Sequence, residues 1–420
     1  MAEIIKILSL GISQSNFLGQ LYGDLQDKYE NYKVGINNYY DVTKGQVPNK
    51  RDVFSDYFNF ETEKVTRFHS FKSFIELSFT KEFWEIYFFE RSQGRSIKES
   101  YYFLRSFAYD KVMTEKFILA TGYDIYHYHY CNPSNLKYLH HFPTDKKVIC
   151  SFWGSDLMRE TGVANVFYVK KALDRASVIT IQNAELAEML YCKYGRELQA
   201  KTTIIQFTIH TKIYDIIDLM RSNVERIENF KNIYNIPQDK IIITVSHNAF
   251  AANNHFKILA ALEELPSKLR NMIVVILPLG YGRNDEYIRR LEMYKESSKV
   301  ELVLLHQFFG PEETAMLRLC TDLMIQMPIS DALSGAMTEV LYAGNHVIVG
   351  GWLPYGLLRR KGINYIEIEK YNELPGVIES YLNNPAFFRD KNSTNPDSIK
   401  FALFPDKTTA DWNTLFSTLL

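Results

Sequence analysis

The sequence predicts an α/β protein built from two doubly wound parallel domains. Three observations carry that expectation. Short runs rich in Ile, Val and Leu recur along the chain, helical stripes fall between them, and 420 residues are about twice what one such core needs. The first domain is expected over residues 1–211 and the second over 212–399, with an apolar, helix-like segment at 400–420.

Residues 4–10 form a compact apolar run closing at Gly11, which reads as a buried parallel strand. Ser13 to Asn16 follow, and a Ser or Asn there caps a helix. Phe17, Leu21, Leu25 and Tyr29 then recur every four residues as one apolar stripe. A second strand is expected at 33–39. Residues 50–118 break the rhythm, because aromatic and charged residues mix there, as in Phe83-Trp84-Glu85-Ile86-Tyr87. They predict a helical, aromatic-rich insertion in the first domain. It either packs on the sheet, lines a cleft, or forms a surface for a lipid-linked acceptor. Its acids and bases nearly balance, which argues against a membrane face rich in Lys and Arg.

Strands resume at 125–130, 147–152, 177–181 and 202–207, with a helix at 184–194. A hinge is expected near 210–215, then a helical pattern to about Asn232. Pro237 precedes the β-branched run at 240–246, the first strand of the second domain. Further strands are expected at 272–278, 300–305, 323–327 and 346–349.

Composition excludes several functions. The formal net charge is −1 and no basic run stands out, so nothing favours a nucleic-acid partner. Four cysteines lack CxxC spacing and read as reduced thiols. His127, His129, His140 and His141 cluster without carboxylates at matching spacing, so packing is the default reading and no metal site is expected. No run reaches transmembrane length, and residues 1–10 are broken by Lys6 with no small-residue cleavage site. The expectation is a cytoplasmic protein, with peripheral contact at the inner face of a membrane left open. The sequon at Asn392 would then go unused.

The sharpest chemical signal lies between the strands at 323–327 and 346–349. Residues 334–342 read as a helix ended by Gly344. The amides of Ser334, Gly335 and Ala336 at its N-terminus suit a diphosphate, because small side chains allow close approach. Glu339 lies deeper on that helix, where a carboxylate can accept ribose hydroxyl protons, and Asp331 in the preceding loop can meet the hydroxyls of a sugar. A second polar loop follows the 240–246 strand. There His247, Asn248, Asn254 and His255 offer hydrogen bonds to phosphate and Lys257 adds charge, or else the Asn residues serve as turn formers. After the 272–278 strand, Gly280 permits close backbone approach and Tyr281 offers a ring for a nucleobase.

Asn253-Asn254-His255 together with Pro278-Leu279-Gly280-Tyr281 resembles the bacterial 4-acetamido-4,6-dideoxygalactose transferases of surface polysaccharide synthesis. Asp331 and Glu339, separated by seven residues, look like the paired acids of the large retaining GT-B glycosyltransferase group. In that group the first acid is usually Glu, and an Arg and a Lys usually stand near the places of His247, Asn248 and His255. Val148 to Asp156 is similar to the same group's His-Gly-Ser-Asp loop, with Trp153 in the place of its His. The resemblance covers residues 240–350 well and the first half loosely.

It implies a GT-B fold, two Rossmann-like domains facing a cleft, with the 400–420 segment crossing back to the first domain. It implies transfer from a nucleotide-sugar donor in the second domain to a glycan, lipid-linked or protein acceptor against the first. The transfer is expected to be retaining, with no metal and no cofactor, the nucleotide sugar being a substrate. Ser13, Asn16, Trp153 and Ser155 are then acceptor candidates. Asp331 and Asp156 are the catalytic candidates, with Asp156 binding an acceptor or donor-sugar hydroxyl or else simply capping the next helix. A nucleotide-sugar epimerase and a non-catalytic GT-B subunit that stabilises a partner transferase are the alternatives, and a homo-oligomer is left open.

Overall fold

The computed structural model describes residues 3–13, 15–37, 53–207, 209, 211–282 and 284–420. It divides into two units, Met1–Thr208 with Thr408–Leu420, and Ile209–Lys407. Each is an α/β unit around one all-parallel sheet. Asn38, Tyr39 and His210, which end an expected strand and open the expected hinge, lie outside the described residues, as do residues 50–52 of the expected insertion.

In the first unit β1 (Ile5–Leu10), β2 (Tyr32–Asn37), β3 (Asp56–Phe58), β4 (Ile125–His129), β5 (Lys147–Ser151), β6 (Val178–Ile181) and β7 (Thr202–Ile204) lie in the order β3-β2-β1-β4-β5-β6-β7. Register is set by apolar pairs such as Ile7 opposite Ile125. Helix α1 (Asn16–Lys28) starts at Ser15, whose hydroxyl accepts the Leu18 amide. It buries Leu18, Leu21, Tyr22 and Leu25 on the sheet. Between β3 and β4 the insertion is indeed helical: α2 (Arg67–Ser78), α3 (Lys81–Ser92) and α4 (Ile97–Met113), each opened by a Thr or Ser cap. They share a small core of Leu77, Phe83, Ile86, Leu104 and Phe107 with Tyr168. The Pro405–Leu419 helix adds Trp412 and Phe416 to the main core of this unit, and the Trp412 indole donates to the Gln206 carbonyl at 2.9 Å.

In the second unit β8 (Ile241–Val245), β9 (Ile273–Pro278), β10 (Leu302–Leu305), β11 (Leu323–Gln326), β12 (His346–Gly350) and β13 (Ile366–Ile368) run in the order β10-β9-β8-β11-β12-β13. Every residue of β9 and β12 is buried. That suits strands covered on both faces and explains why their sequences are continuous apolar runs rather than alternating ones. Residues 211–215 of the expected hinge region form the start of the Thr211–Met220 helix, whose Tyr214 and Ile217 are buried in this unit's core, and the two units divide just before it at Ile209.

Chain order reverses direction at one place in each sheet, between β1 and β4 and between β8 and β11. Loops on either side of such a point turn opposite ways and leave a crevice at the carboxyl ends of the strands. Among the described residues no helix is long and apolar enough to cross a membrane.

Candidate functional site

The crevice of the second unit is assembled from both sides of its reversal point. β8 ends at Val245, and Ser246 takes a left-handed backbone with φ 58°. A non-glycine residue rarely adopts this, and here it swings the chain out of the sheet to His247. On the other side β11 ends at Gln326, and the loop carries Asp331 before the Gly335–Tyr342 helix. Tyr355, itself buried, donates to Asp331 Oδ2 at 2.8 Å, and Gln326 Nε2 donates to the same oxygen at 3.3 Å. Both donors sit on one oxygen, so the carboxylate is oriented while Oδ1 keeps its accepting capacity.

Burial pushes the His247 pKa down, the Asp331 charge pulls it up, and the smaller effects of Arg318 and Gln326 lower and raise it in turn. The His247 Nδ1 is buried with no partner among the described residues. A buried nitrogen in that state is costly unless something fills the place beside it. Glu339 receives Arg318 Nε at 2.8 Å, and both are nearly buried, with side chains 12% and 7% exposed. Ser334 spends its hydroxyl on the Met337 amide at 3.2 Å. The amides of Gly335 and Ala336 remain at the open end of the helix. Gly335 is exposed, and a Cβ added there would meet nothing within 4 Å.

His247, Gly280, Tyr281 and Arg318 line one cavity of about 230 Å³ with Pro278, Gln307 and Phe308 among its other walls. Gly280 is required by close approach, since a Cβ would lie 1.9 Å from the Gln307 carbonyl oxygen. Tyr281 is 59% exposed and meets Phe250 edge-on at 5.9 Å. Arg318 had no motif to mark it. It stands on the Pro311–Cys320 helix, and only the rule that a buried Arg needs an acid would have paired it with Glu339.

The polar loop after β8 requires a revision. Asn248 Oδ1 accepts from the Phe250 amide at 3.0 Å and from Asn253 Nδ2 at 2.7 Å. Asn254, with φ 59°, donates to the Met327 carbonyl at 3.0 Å and so ties this loop to the end of β11. Both amides build the crevice rather than reach into it. His255 bonds the Tyr287 hydroxyl through Nδ1 at 3.1 Å, and burial lowers its pKa to about 4, with no partner for Nε2 among the described residues. Lys257 is exposed, with Nζ 5.6 Å from the Tyr371 ring centre.

In the first unit the loop after β5 turns at Gly154, φ 108°, and buries Asp156 completely. Its Oδ1 accepts the amides of Trp153, Gly154 and Leu157 at 3.0, 2.9 and 3.1 Å, and Oδ2 accepts that of Cys131 at 2.7 Å. Burial pushes the carboxyl up to about 6 against the pull of these amides. Trp153 packs edge-on against Phe17 at 5.7 Å, and its indole N–H is buried without a partner among the described residues. Ser155 Oγ donates to the Tyr130 hydroxyl at 3.1 Å. Ser13 lies apart from these, in a cavity of about 430 Å³ at the β1–β4 reversal point. That cavity is also lined by Asn37, Glu61, Asn135 and Lys137, with Lys137 Nζ 3.0 Å from Glu61. Asn16 opens α1, and its side chain is outside the described residues.

The histidines pack. The Tyr22 hydroxyl lies 3.0 Å from His127 Nδ1 and 2.9 Å from His129 Nε2, and His127 Nε2 lies 2.6 Å from Ser151 Oγ. Burial lowers His129 to about 3. Among the described residues no group of His, Cys, Asp or Glu is placed to hold a metal ion.

No protein-family model and no curated protein matches the chain by sequence. Solved structures match it by shape. A glycosyltransferase from Rickettsia africae superposes with a TM-score of 0.68 at 12% identity, over 100% of this chain and 99% of that one. The sucrose-phosphate synthase of Thermosynechococcus elongatus gives 0.67 at 12%, with the same coverage. Anabaena HepE, solved with UDP-glucose, gives 0.64 at 12%, over 99% of this chain and 100% of that one. The two parallel-sheet units and these neighbours make the fold GT-B.

Proposed function

We propose that the chain is a glycosyltransferase, with the nucleotide-sugar donor held by the second unit. The observation that carries this reading is the set of unspent groups at the β8–β11 crevice. Asp331 Oδ1 is clear of the donors that hold Oδ2, His247 Nδ1 has no partner among the described residues, the loop that carries Asp331 leads into the Gly335–Tyr342 helix, and His247, Tyr281 and Arg318 line one cavity. The helix N-terminus supplies partial positive charge for the leaving diphosphate, in a setting that does not have to reorganise as charge develops. Asp331 takes the sugar hydroxyls, and Tyr281 takes a face of the base. Glu339 meets the ribose with its geometry fixed by Arg318. HepE, whose structures hold UDP and UDP-glucose, supports trying a uridine donor first.

The finer reading is a retaining, metal-independent transfer in which the departing phosphate assists deprotonation of the acceptor. The acceptor is a glycan, a lipid-linked sugar or a protein in bacterial glycoconjugate synthesis. In the first unit the cavity lined by Ser13, Asn37, Glu61 and Lys137 suits its hydroxyls. Trp153, Ser155 and Asp156 serve as the frame of the neighbouring loop.

The test is thermal stabilisation by a panel of UDP, GDP, dTDP and CMP compounds, with the natural chain beside Asp331→Asn and Glu339→Gln. A selective shift with one nucleotide, lost in Glu339→Gln, supports the donor site. No shift with any of them in folded protein overturns it in favour of a non-catalytic subunit.

A further inference from the structure

The helical insertion carries nearly balanced acids and bases in sequence, and the structure pairs Glu82 and Glu90 with partners on other elements while Glu76 and Glu99 stay exposed among the bases. On α3 all three acids are paired, Glu82 and Glu90 from other elements and Glu85, 37% exposed, from Lys81 of its own helix at 3.3 Å as well as from outside. Glu82 meets Arg175 at 3.4 Å, Glu85 meets Lys171, and Glu90, 1% exposed, accepts from Tyr168 and pairs with Arg95 at 2.8 Å. The opposite stripe of the same helix holds Lys81, Trp84, Phe88 and Arg91, all exposed. Helix α2 carries a second stripe: Phe68, Phe71, Ile75 and Phe79 recur at steps of three and four and are 72%, 64%, 43% and 86% exposed, flanked by Arg67, Lys72 and the exposed Glu76, 3.8 Å from Lys72. Helix α4 adds Ile97, Tyr101 and Tyr102 beside Lys98, Glu99 and Arg105, all exposed.

These stripes form one surface. Phe74 joins α2 to α4 through Tyr101 at 5.5 Å and to α3 through Phe83 at 5.3 Å. The Trp84 indole donates to the Ser78 carbonyl at 2.9 Å, which brings the exposed face of α3 to the end of α2 beside Phe79. Scattered exposed aromatics are ordinary, but a contiguous set on three packed helices marks an interaction surface.

We infer that this face of the first unit docks on an anionic lipid bilayer. Phe, Trp and Tyr rings at an interface bury their apolar bodies among acyl chains and headgroups, and the surrounding Lys and Arg meet lipid phosphates. Charge decides between this and a second copy of the chain: on the three helices the exposed bases Arg67, Lys72, Lys81, Arg91, Lys98 and Arg105 outnumber the exposed acids Glu76 and Glu99, and a two-fold contact would set that excess against itself. The inference does not rest on glycosyl transfer, and its test needs no nucleotide sugar, so either can fail alone.

The experiment is co-sedimentation of the full chain with phosphatidylcholine vesicles, with and without phosphatidylglycerol, over a salt series. Two variants run alongside. One is Phe71→Ser with Phe79→Ser and Phe88→Ser, and the other is Lys72→Glu with Lys81→Glu and Arg91→Glu. All six positions are exposed, and unchanged circular dichroism and melting confirm the fold. The expected result is binding at least about tenfold tighter to the anionic vesicles, weakened by salt and lost in both variants. Equal binding to both vesicles, no binding to either, or variants that bind as the natural chain does would overturn it. So would self-association in sedimentation velocity that the same substitutions abolish.

Discussion

Asp156 and Asp331 stand in equivalent places, each just past the carboxyl end of a parallel strand in its own unit, and they are used in opposite ways. Asp156 has both oxygens filled by backbone amides and no exposure at all. Asp331 receives both of its donors on Oδ2. One carboxylate is an internal staple. The other is held by a single oxygen, as a side chain must be if it is to meet a ligand without moving. In one sequence both read as an acid in a loop before a helix, and only the count of donors separates them.

The sharpest way to break that comparison is to remove each acid. Asp156→Ala strands the buried amides of Cys131, Trp153, Gly154 and Leu157, and an expected loss of about 3 kcal/mol or more should appear in urea unfolding followed by circular dichroism. Asp331→Ala should cost far less stability while abolishing donor-dependent turnover. Equal destabilisation by the two would end the distinction. Next in size is Glu339→Ala, which leaves Arg318 buried and unpaired and should cost about 3 kcal/mol, with much of it returned in the double variant with Arg318→Met.

A pH series sharpens the same contrast. Burial holds the Asp156 carboxyl at about 6, above its ordinary value of 3.8, so the folded protein binds this proton more tightly than the unfolded chain. Relative to Asp156→Asn, the natural chain should therefore lose stability as pH rises from about 4 to about 6 and level off above that. A gain over that window would mean that the amides outweigh burial. The smallest effect is expected at Gly335→Ala. Nothing lies near its added Cβ, so stability should change by less than about 0.5 kcal/mol while donor affinity falls, which calorimetry can read.

Much of the fold was legible because buried parallel strands announce themselves. The runs at β8, β9 and β12 are continuous and apolar, and the strands fall within a residue or so of expectation. The missed strands, Asp56–Phe58 and Ile366–Ile368, are three-residue edges with charged residues in them, too short for any period. At the site, Asp331, Glu339, His247 and Gly335 were visible as residues at strand and helix ends. Asn248 and Asn254 were seen too, but their side chains turn back into the loop, a choice made by partners such as the Met327 carbonyl far along the chain. Arg318 and the sidedness of the insertion were illegible for the same reason: both depend on which distant residue lies opposite.

The last of these long-range dependencies concerns Trp412. It is fully buried in the first unit, which is otherwise complete by Thr208, and nearly two hundred residues of the second unit intervene. On a ribosome the chain emerges from its N-terminus, so the sheet that begins at Ile5 has a gap where this indole belongs until the second unit has been made. The second unit is one continuous stretch and can close its own core first. A stalled or shortened product lacking residues 408–420 would therefore pair a finished second unit with an unsealed first one, an asymmetry that a protease or chaperone would read long before any enzyme assay could.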